Sequence, residues 1–230
     1  MKKTLALALA MMMVAAMTLT GCGSSEEERV VNVCSWGEYI DENLIYQFEE
    51  ETGIKVNYDT YESNESMYGV LKNDGASYDV VIPSDYMISR MIEEDMLEPL
   101  DFDNIPNFSD IDPNLKNPDY DPENQYSVPY MWGLLGVIYN TAMVDGAPDS
   151  WSILFDENYS GQILMFNNSR DALGVALKYL GYSYNTTDPA QITAATDLLI
   201  QQKPLVQSYV MDEIFEKMQG NSAAIGAYYY

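Results

Sequence analysis

The chain contains no histidine, and only 11 lysines and arginines stand against 36 aspartates and glutamates, a formal net charge of −25 over 230 residues. Without histidine it lacks the commonest general base and imidazole metal ligand. With so few cations its surface repels DNA, RNA and anionic lipid. Cysteine is as scarce: there are two, Cys22 and Cys34. No Gly-rich phosphate loop, nucleophile elbow or His/Cys metal spacing occurs. These absences exclude the common catalytic constellations and leave no expected cofactor or metal. An acidic surface suits a cationic ligand, and it is equally the ordinary character of many secreted proteins.

What is present begins with a targeting segment. Lys2 and Lys3 form a basic start, Thr4 to Leu19 is an apolar run too short to read as a membrane span, and Leu19-Thr20-Gly21-Cys22 closes it. This ending resembles the lipobox of bacterial lipoproteins. The resemblance implies that residues 1–22 are a signal peptide, that Cys22 is lipidated, and that the protein lies outside the cytoplasm, anchored to the cell membrane (in the periplasm if there are two membranes). An ordinary signal peptide with a chance cysteine is the plainer alternative. Residues 23–29 read as a flexible acidic tether. With lipid on Cys22, Cys34 has no disulfide partner in the chain. In its apolar strand it is expected to be an inert buried thiol.

Strand and helix patterns then alternate. Val30 to Ser35 is strand-like, and Asp41 to Glu51 carries Leu44, Ile45 and Phe48 on one helical face with Gly53 as its stop. Ile54 to Thr60 alternates as a strand, and Ser63 can cap a helix bearing Met67, Val70 and Leu71. Tyr78 to Ile82 is a short buried strand ending at Pro83, and Ser84 or Asp85 caps the next helix. This β-α-β-α-β-α order predicts a mostly parallel sheet with helices on both faces. Residues 101–125 are rich in Pro, Asp and Asn and read as a long surface loop. Tyr126 to Tyr139 is apolar, with Gly133 and Gly136 able to absorb a hinge motion. A second lobe follows: a strand over 161–166, a helix from Asn168 or Ser169 to about Leu180, and a helix started by Asp188 and Pro189. After it come a strand over 204–209, a short helix over 211–218 closed by Gly220, and a strand from Ala223. The chain stops inside that strand, so the sequence is expected to be truncated at its C-terminus and, as it stands, to bind its ligand poorly.

In an open α/β sheet, ligands bind where strands end and helices begin. Trp36, Gly37, Glu38 and Tyr39 follow the first strand; Pro83, Ser84, Asp85 and Tyr86 follow the third; Asn168, Arg170 and Asp171 start a helix; Tyr228 offers a further wall. Aromatic faces attract ammonium groups and hold methylenes, and carboxylates accept ammonium protons. A box of rings with an acid at each end therefore suits a linear diamine or polyamine. Each residue also has a plainer reading: Trp36, Tyr39 and Tyr86 as packing, Asp85 as a helix cap, Asp171 as a complement to the helix dipole, and Tyr228 as buried strand.

Ser-Trp-Gly-Glu-Tyr at 35–39, Glu-Thr-Gly-Ile-Lys-Val at 51–56, the run 60–68, Tyr-Asp-Val-Val-Ile-Pro-Ser at 78–84, the run 126–133, Leu-Gly-Tyr-Ser at 180–183 and Asn-Thr-Thr-Asp-Pro at 185–189 together resemble the spermidine/putrescine-binding proteins of polyamine ABC transporters. The resemblance implies a two-lobed periplasmic-binding-protein fold of type II, incomplete at its C-terminus, with one lobe over 30–131 and the other over 132–230. It implies a monomer, not an enzyme, that closes on a polyamine and presents it to the permease. The family's site falls on Trp36, Tyr39, Ser84, Tyr86, Asn168, Asp171 and Tyr228. Three departures stand out: an amide, Asn168, replaces the first of the family's two acids, Gly37 takes a place often held by threonine, and Tyr228 one more usually held by tryptophan. Asp85 is a candidate to replace the missing carboxylate. A ferric-ion or other solute binder of the same fold, and a cell-envelope hydrolase, are the alternatives.

Overall fold

A computed structural model describes residues 29–73 and 75–230. The expected signal peptide, the lipidation site Cys22 and all of the tether but Arg29 lie outside the described residues. No described helix is long and apolar enough to cross a membrane. The described chain divides into two compact units, one of residues 29–31 with Glu42–Asn57, the other of Asn32–Asp41 with Tyr58–Tyr230.

The first unit carries helix α1 (Glu42–Thr52). Gly53 ends it at φ +66°, a left-handed conformation that favours glycine, and its N–H bonds the Glu49 carbonyl at 2.9 Å. Glu49 then ties the helix to the strand that follows: its carboxylate accepts the Val56 N–H at 2.9 Å and Lys55 Nζ at 3.3 Å. The periodicity of the sequence places the helix correctly but not its burial: Leu44 and Phe48 are exposed and Ile45 is only partly covered.

Strands β1 (Val30–Trp36), β2 (Lys55–Tyr61) and β3 (Val80–Val81) form a sheet in the order β2-β1-β3, with β1 parallel to β3. In the second unit, helices α2 (Asn64–Lys72) and α3 (Asp85–Glu93) pack Met67, Met87 and Met91 against Cys34. Cys34 is buried and free, and burial pushes its thiol pKa up, as an inert thiol requires. Ser63 caps α2 in a reciprocal box with Ser66.

A four-stranded sheet follows, in the order β4-β7-β5-β6, from β4 (Leu135–Tyr139), β5 (Ile163–Phe166), β6 (Val206–Val210) and β7 (Ile225–Tyr229). β5 runs parallel to both β6 and β7, while β4 is antiparallel to β7, so this sheet is mixed rather than wholly parallel. All four residues of β5 are buried, as an unbroken apolar run covered on both faces should be. Helix α4 (Ser169–Tyr179) sets Val175 into the core under the sheet and Ala176 and Leu177 against Ala195 of α5 (Pro189–Gln202). Helix α6 (Glu213–Gln219) buries Ile214 against Leu164.

The expected long loop over 101–125 is more organised than its composition suggests. It contains three 3-10 turns, Phe102–Asn104, Pro106–Asp110 and Pro113–Leu115. The expected crossing from Tyr126 to Tyr139 is extended only from Leu135, and Tyr130, Met131 and Trp132 before it are exposed.

Candidate functional site

The described site residues belong to the second unit and gather at the carboxyl ends of its parallel strands. β1 delivers Trp36, whose ring is buried against Tyr61 with centroids 4.6 Å apart and lies 6.1 Å from Tyr39. Tyr39 in turn lies 6.2 Å from Tyr130, whose hydroxyl donates to the Tyr39 carbonyl. The two rings named from the sequence thus lie beside each other, and Tyr61 and Tyr130 continue the row.

β3 hands over to α3 at Pro83 and Ser84. Ser84 occupies the N-cap position, yet its hydroxyl makes no capping bond. Its N–H bonds Oδ1 of the buried Asn64 at 3.2 Å. Asn64 Nδ2 also donates to the Tyr86 hydroxyl at 2.9 Å, and that hydroxyl donates to Glu65 Oε1 at 3.0 Å. Exposed Asp85 accepts its neighbour's N–H, that of Tyr86, at 2.6 Å.

β5 hands over to α4. Asn168 is a buried N-cap whose Oδ1 accepts the N–H groups of Arg170 and Asp171 at 3.0 and 3.4 Å. That cap turns the Asp171 carboxylate toward two phenols: Oδ1 accepts the Tyr184 hydroxyl and Oδ2 the Tyr229 hydroxyl. Tyr184 reaches down because Gly174, one helical turn along α4, leaves its ring room. The Arg170 guanidinium lies 5.1 Å from the Tyr86 ring and 5.7 Å from the Tyr184 ring, linking the second and third strand ends. From β7, Tyr228 donates to Asp212 Oδ1 at 2.6 Å and packs edge-on against Phe215, while Tyr229 lies 5.1 Å from Phe166.

Burial is the main reason that the phenols of Tyr39, Tyr61, Tyr86, Tyr184, Tyr228 and Tyr229 hold their protons more tightly than a free tyrosine. Asp171 reinforces this at Tyr184 and Tyr229, and Asp212 at Tyr228. The site is thus a set of neutral rings, of which Tyr86, Tyr184, Tyr228 and Tyr229 turn their hydroxyls to carboxylates. That chemistry favours a cation with an apolar stem, and it gives no support to tyrosinate ligation of iron. Among the described residues no three His, Cys, Asp or Glu side chains converge as a metal site.

The structure brings together Trp36, Tyr39, Tyr86, Asp171 and Tyr228, through shared rings, acids and Arg170. Asn168 serves them as a cap. Sequence reading missed Asp212, Tyr61, Tyr130, Tyr184 and Tyr229. Asp212 follows β6 by two residues, so the strand-end rule that picked out Asp171 would have picked it out as well.

Rings and acids delivered by the carboxyl ends of parallel strands define a binding protein of the periplasmic-binding-protein fold class. The family model described as bacterial extracellular solute-binding protein matches residues 43–227, and the chain belongs to that family, one of substrate-binding proteins and not of enzymes. The chain is 41% identical to the spermidine/putrescine-binding periplasmic protein of Escherichia coli (strain K12) over 191 residues, 82% of this chain and 55% of that protein. A solved structure titled as a putative spermidine/putrescine ABC transporter from Listeria monocytogenes superposes with a TM-score of 0.82 at 42% identity, over 87% of this chain and 62% of that one. The Tp0655 (TpPotD) lipoprotein of Treponema pallidum superposes with a TM-score of 0.79 at 30% identity, over 86% of this chain and 63% of that one. The chain therefore spans little more than half the length of the curated relatives it matches.

Proposed function

We propose that the protein captures a polyamine, spermidine or putrescine, outside the cytoplasm and delivers it to the permease of an ABC importer. The observation that carries this reading is the Asp171 carboxylate, fixed by two phenols, one of which, Tyr229, packs on Phe166 of the core cluster that also holds the Trp36, Tyr39 and Tyr61 rings. A carboxylate so held accepts an ammonium without first losing side-chain freedom, and the rings cover the methylenes between amines. The relatives' names point to the same ligands.

In this reading Trp36, Tyr39, Tyr86 and Tyr228 line the alkyl chain, Asp171 binds one ammonium, and Ser84 offers its hydroxyl. Asp85 offers an exposed carboxylate near the Tyr184 side of the site, and Asn168 holds the α4 start in place. Lobes over 30–131 and 132–230 close on the ligand, expelling water and strengthening each ion contact. A monomer anchored by lipid on Cys22 fits the lipobox-like sequence, and one solved relative is titled a lipoprotein.

A thermal-shift and calorimetric screen on the full-length protein tests the reading. A ligand at 100 times its Kd stabilises the native state by about 2.7 kcal/mol, so spermidine or putrescine should raise Tm measurably. Ferric iron and hydrolysable esters should not. A native-like protein whose Tm responds to iron and to no oligoamine would refute the proposal.

A further inference from the structure

The carboxylate of Asp212 occupies the space that a side chain at position 37 would fill. A Cβ placed on Gly37 would sit 2.6 Å from Asp212 Oδ2 and 3.8 Å from its Cγ. The backbone does not demand glycine there: Gly53, Gly146, Gly161 and Gly181 have positive φ, and Gly37 does not. What glycine supplies at this position is therefore room.

Asp212 has no structural task that accounts for its charge. It stands at the N-cap position of α6 in a helical conformation and makes no side-chain capping bond. The adjacent Met211 N–H is taken by Glu213 instead, at 2.9 Å. Oδ1 of Asp212 accepts the Tyr228 hydroxyl, while Oδ2, on the Gly37 side, accepts no hydrogen bond from the described residues. The ion pairs of the described residues join Lys55 to Glu49, and Lys72 and Arg90 to Glu94, and none reaches Asp212. Asp212 is only partly buried, so this oxygen is open to water or to a cation that displaces it. Adjacent Tyr228 and Tyr229, with ring centroids 5.3 Å apart, donate to Asp212 and to Asp171 respectively, so the two acids meet one strand end; both also raise the Tyr39 phenol pKa, after burial.

We propose that Asp212 binds the second ammonium of the ligand, in the space Gly37 leaves for it, so that the Asp171 and Asp212 pair selects molecules carrying two ammonium groups over those carrying one. This rests on the polyamine reading and names the group that answers for the amide at Asn168. It makes the departure at Gly37 and the acid at Asp212 a single feature: a larger residue at 37 would displace the carboxylate.

Calorimetry on the purified full-length protein with putrescine and with butylamine, which has the same stem and one ammonium, tests this. Wild type should prefer putrescine by about tenfold or more, the size expected of one charge-assisted contact. Asp212→Asn keeps an acceptor for Tyr228 and should remove most of that preference, leaving butylamine affinity within about threefold of wild type. Gly37→Ala, which pushes the carboxylate aside without altering its charge, should lower the same ratio, and it keeps the test open if Asp212→Asn folds poorly. An unchanged ratio in the folded variants, or an equal loss for both amines, overturns the proposal. Wild type that binds neither amine overturns the polyamine reading as well, whereas wild type that binds putrescine beside variants that bind it equally well overturns this inference alone.

Discussion

Asp171 and Tyr229, 58 positions apart in the chain, are joined by a hydrogen bond of 2.5 Å from phenol to carboxylate. The same carboxylate holds Tyr184 on its other oxygen, so it is oriented before any ligand arrives. A carboxylate offers about four acceptor sites, and two remain for an ammonium. Hydrogen bonds to charged groups are worth about 1.5–3 kcal/mol, which corresponds to about 10–150-fold in affinity. Asp171→Asn should lower putrescine affinity by an amount in that range, read by calorimetry, while far-ultraviolet circular dichroism stays native. An affinity within twofold of wild type would show that the carboxylate serves only to order the tyrosines.

Gly174 tests whether that orientation matters. A Cβ there would lie 1.9 Å from Tyr184 Cε2, a collision relieved only by moving the ring off α4. Alanine is the better helix former by about 1 kcal/mol, yet overpacking costs about 1–3 kcal/mol. The collision should win. Gly174→Ala is expected to lower Tm and, by freeing Asp171 from one of its phenols, to weaken polyamine binding severalfold. A raised Tm with unchanged affinity would contradict this.

Much of this fold and site could be read from the sequence where a local signal coincided with a tertiary one. Strand β5, the cap at Asn168, the helix start at Asp188–Pro189 and the stop at Gly53 are all local chemistry, and each forms where expected. Trp36, Tyr39 and Asp171 could be named as candidates because they stand at strand-to-helix junctions. Tyr184 and Tyr229 were not, because their roles depend on reaching Asp171 from a loop and from a distant strand. The antiparallel pairing of β4 with β7 was hidden for the same reason: a strand's pattern records its burial and not its partner's direction. The apolar stripe of α1 predicted a helix correctly, while the exposure of Leu44 and Phe48 is a property of packing that no stripe encodes.

The loop over 101–125 turns on one buried acid. Asp121 is 3% exposed, and its oxygens accept the N–H groups of Gln125, Tyr126 and Ser127 at 2.9, 3.0 and 2.9 Å and the Ser127 hydroxyl at 2.7 Å. Asp121→Ala would leave those donors without an acceptor, at a cost of about 2–4 kcal/mol. At about 2–4 °C per kcal/mol for a chain of this size, Tm should fall by roughly 5–15 °C. Asp121→Asn, which keeps one acceptor oxygen, should fall by less. A scanning calorimetry trace for Asp121→Ala that overlays wild type would remove Asp121 from this role.

The tyrosines set the alkaline limit of stability. The pKa values of Tyr61, Tyr86, Tyr184, Tyr228 and Tyr229 are raised, chiefly by burial, and that of Tyr78 is pushed up to about 12, chiefly by its hydrogen bond to Asp59. In the unfolded chain all would ionise near pH 10, the usual phenol value, on the order of 10 being the reference. Above that pH the folded state therefore binds more protons than the unfolded state, and stability falls as pH rises. Their contribution should be complete below about pH 9 and lost progressively from about pH 10 upward. Urea midpoints should be flat through neutral pH and drop at the alkaline end. Phenolate absorbance should show a fraction of the 19 tyrosines appearing only together with unfolding. A smooth titration of every tyrosine near pH 10, about the free value, in protein that remains folded would show that the phenols around Asp171 and Asp212 are open to water.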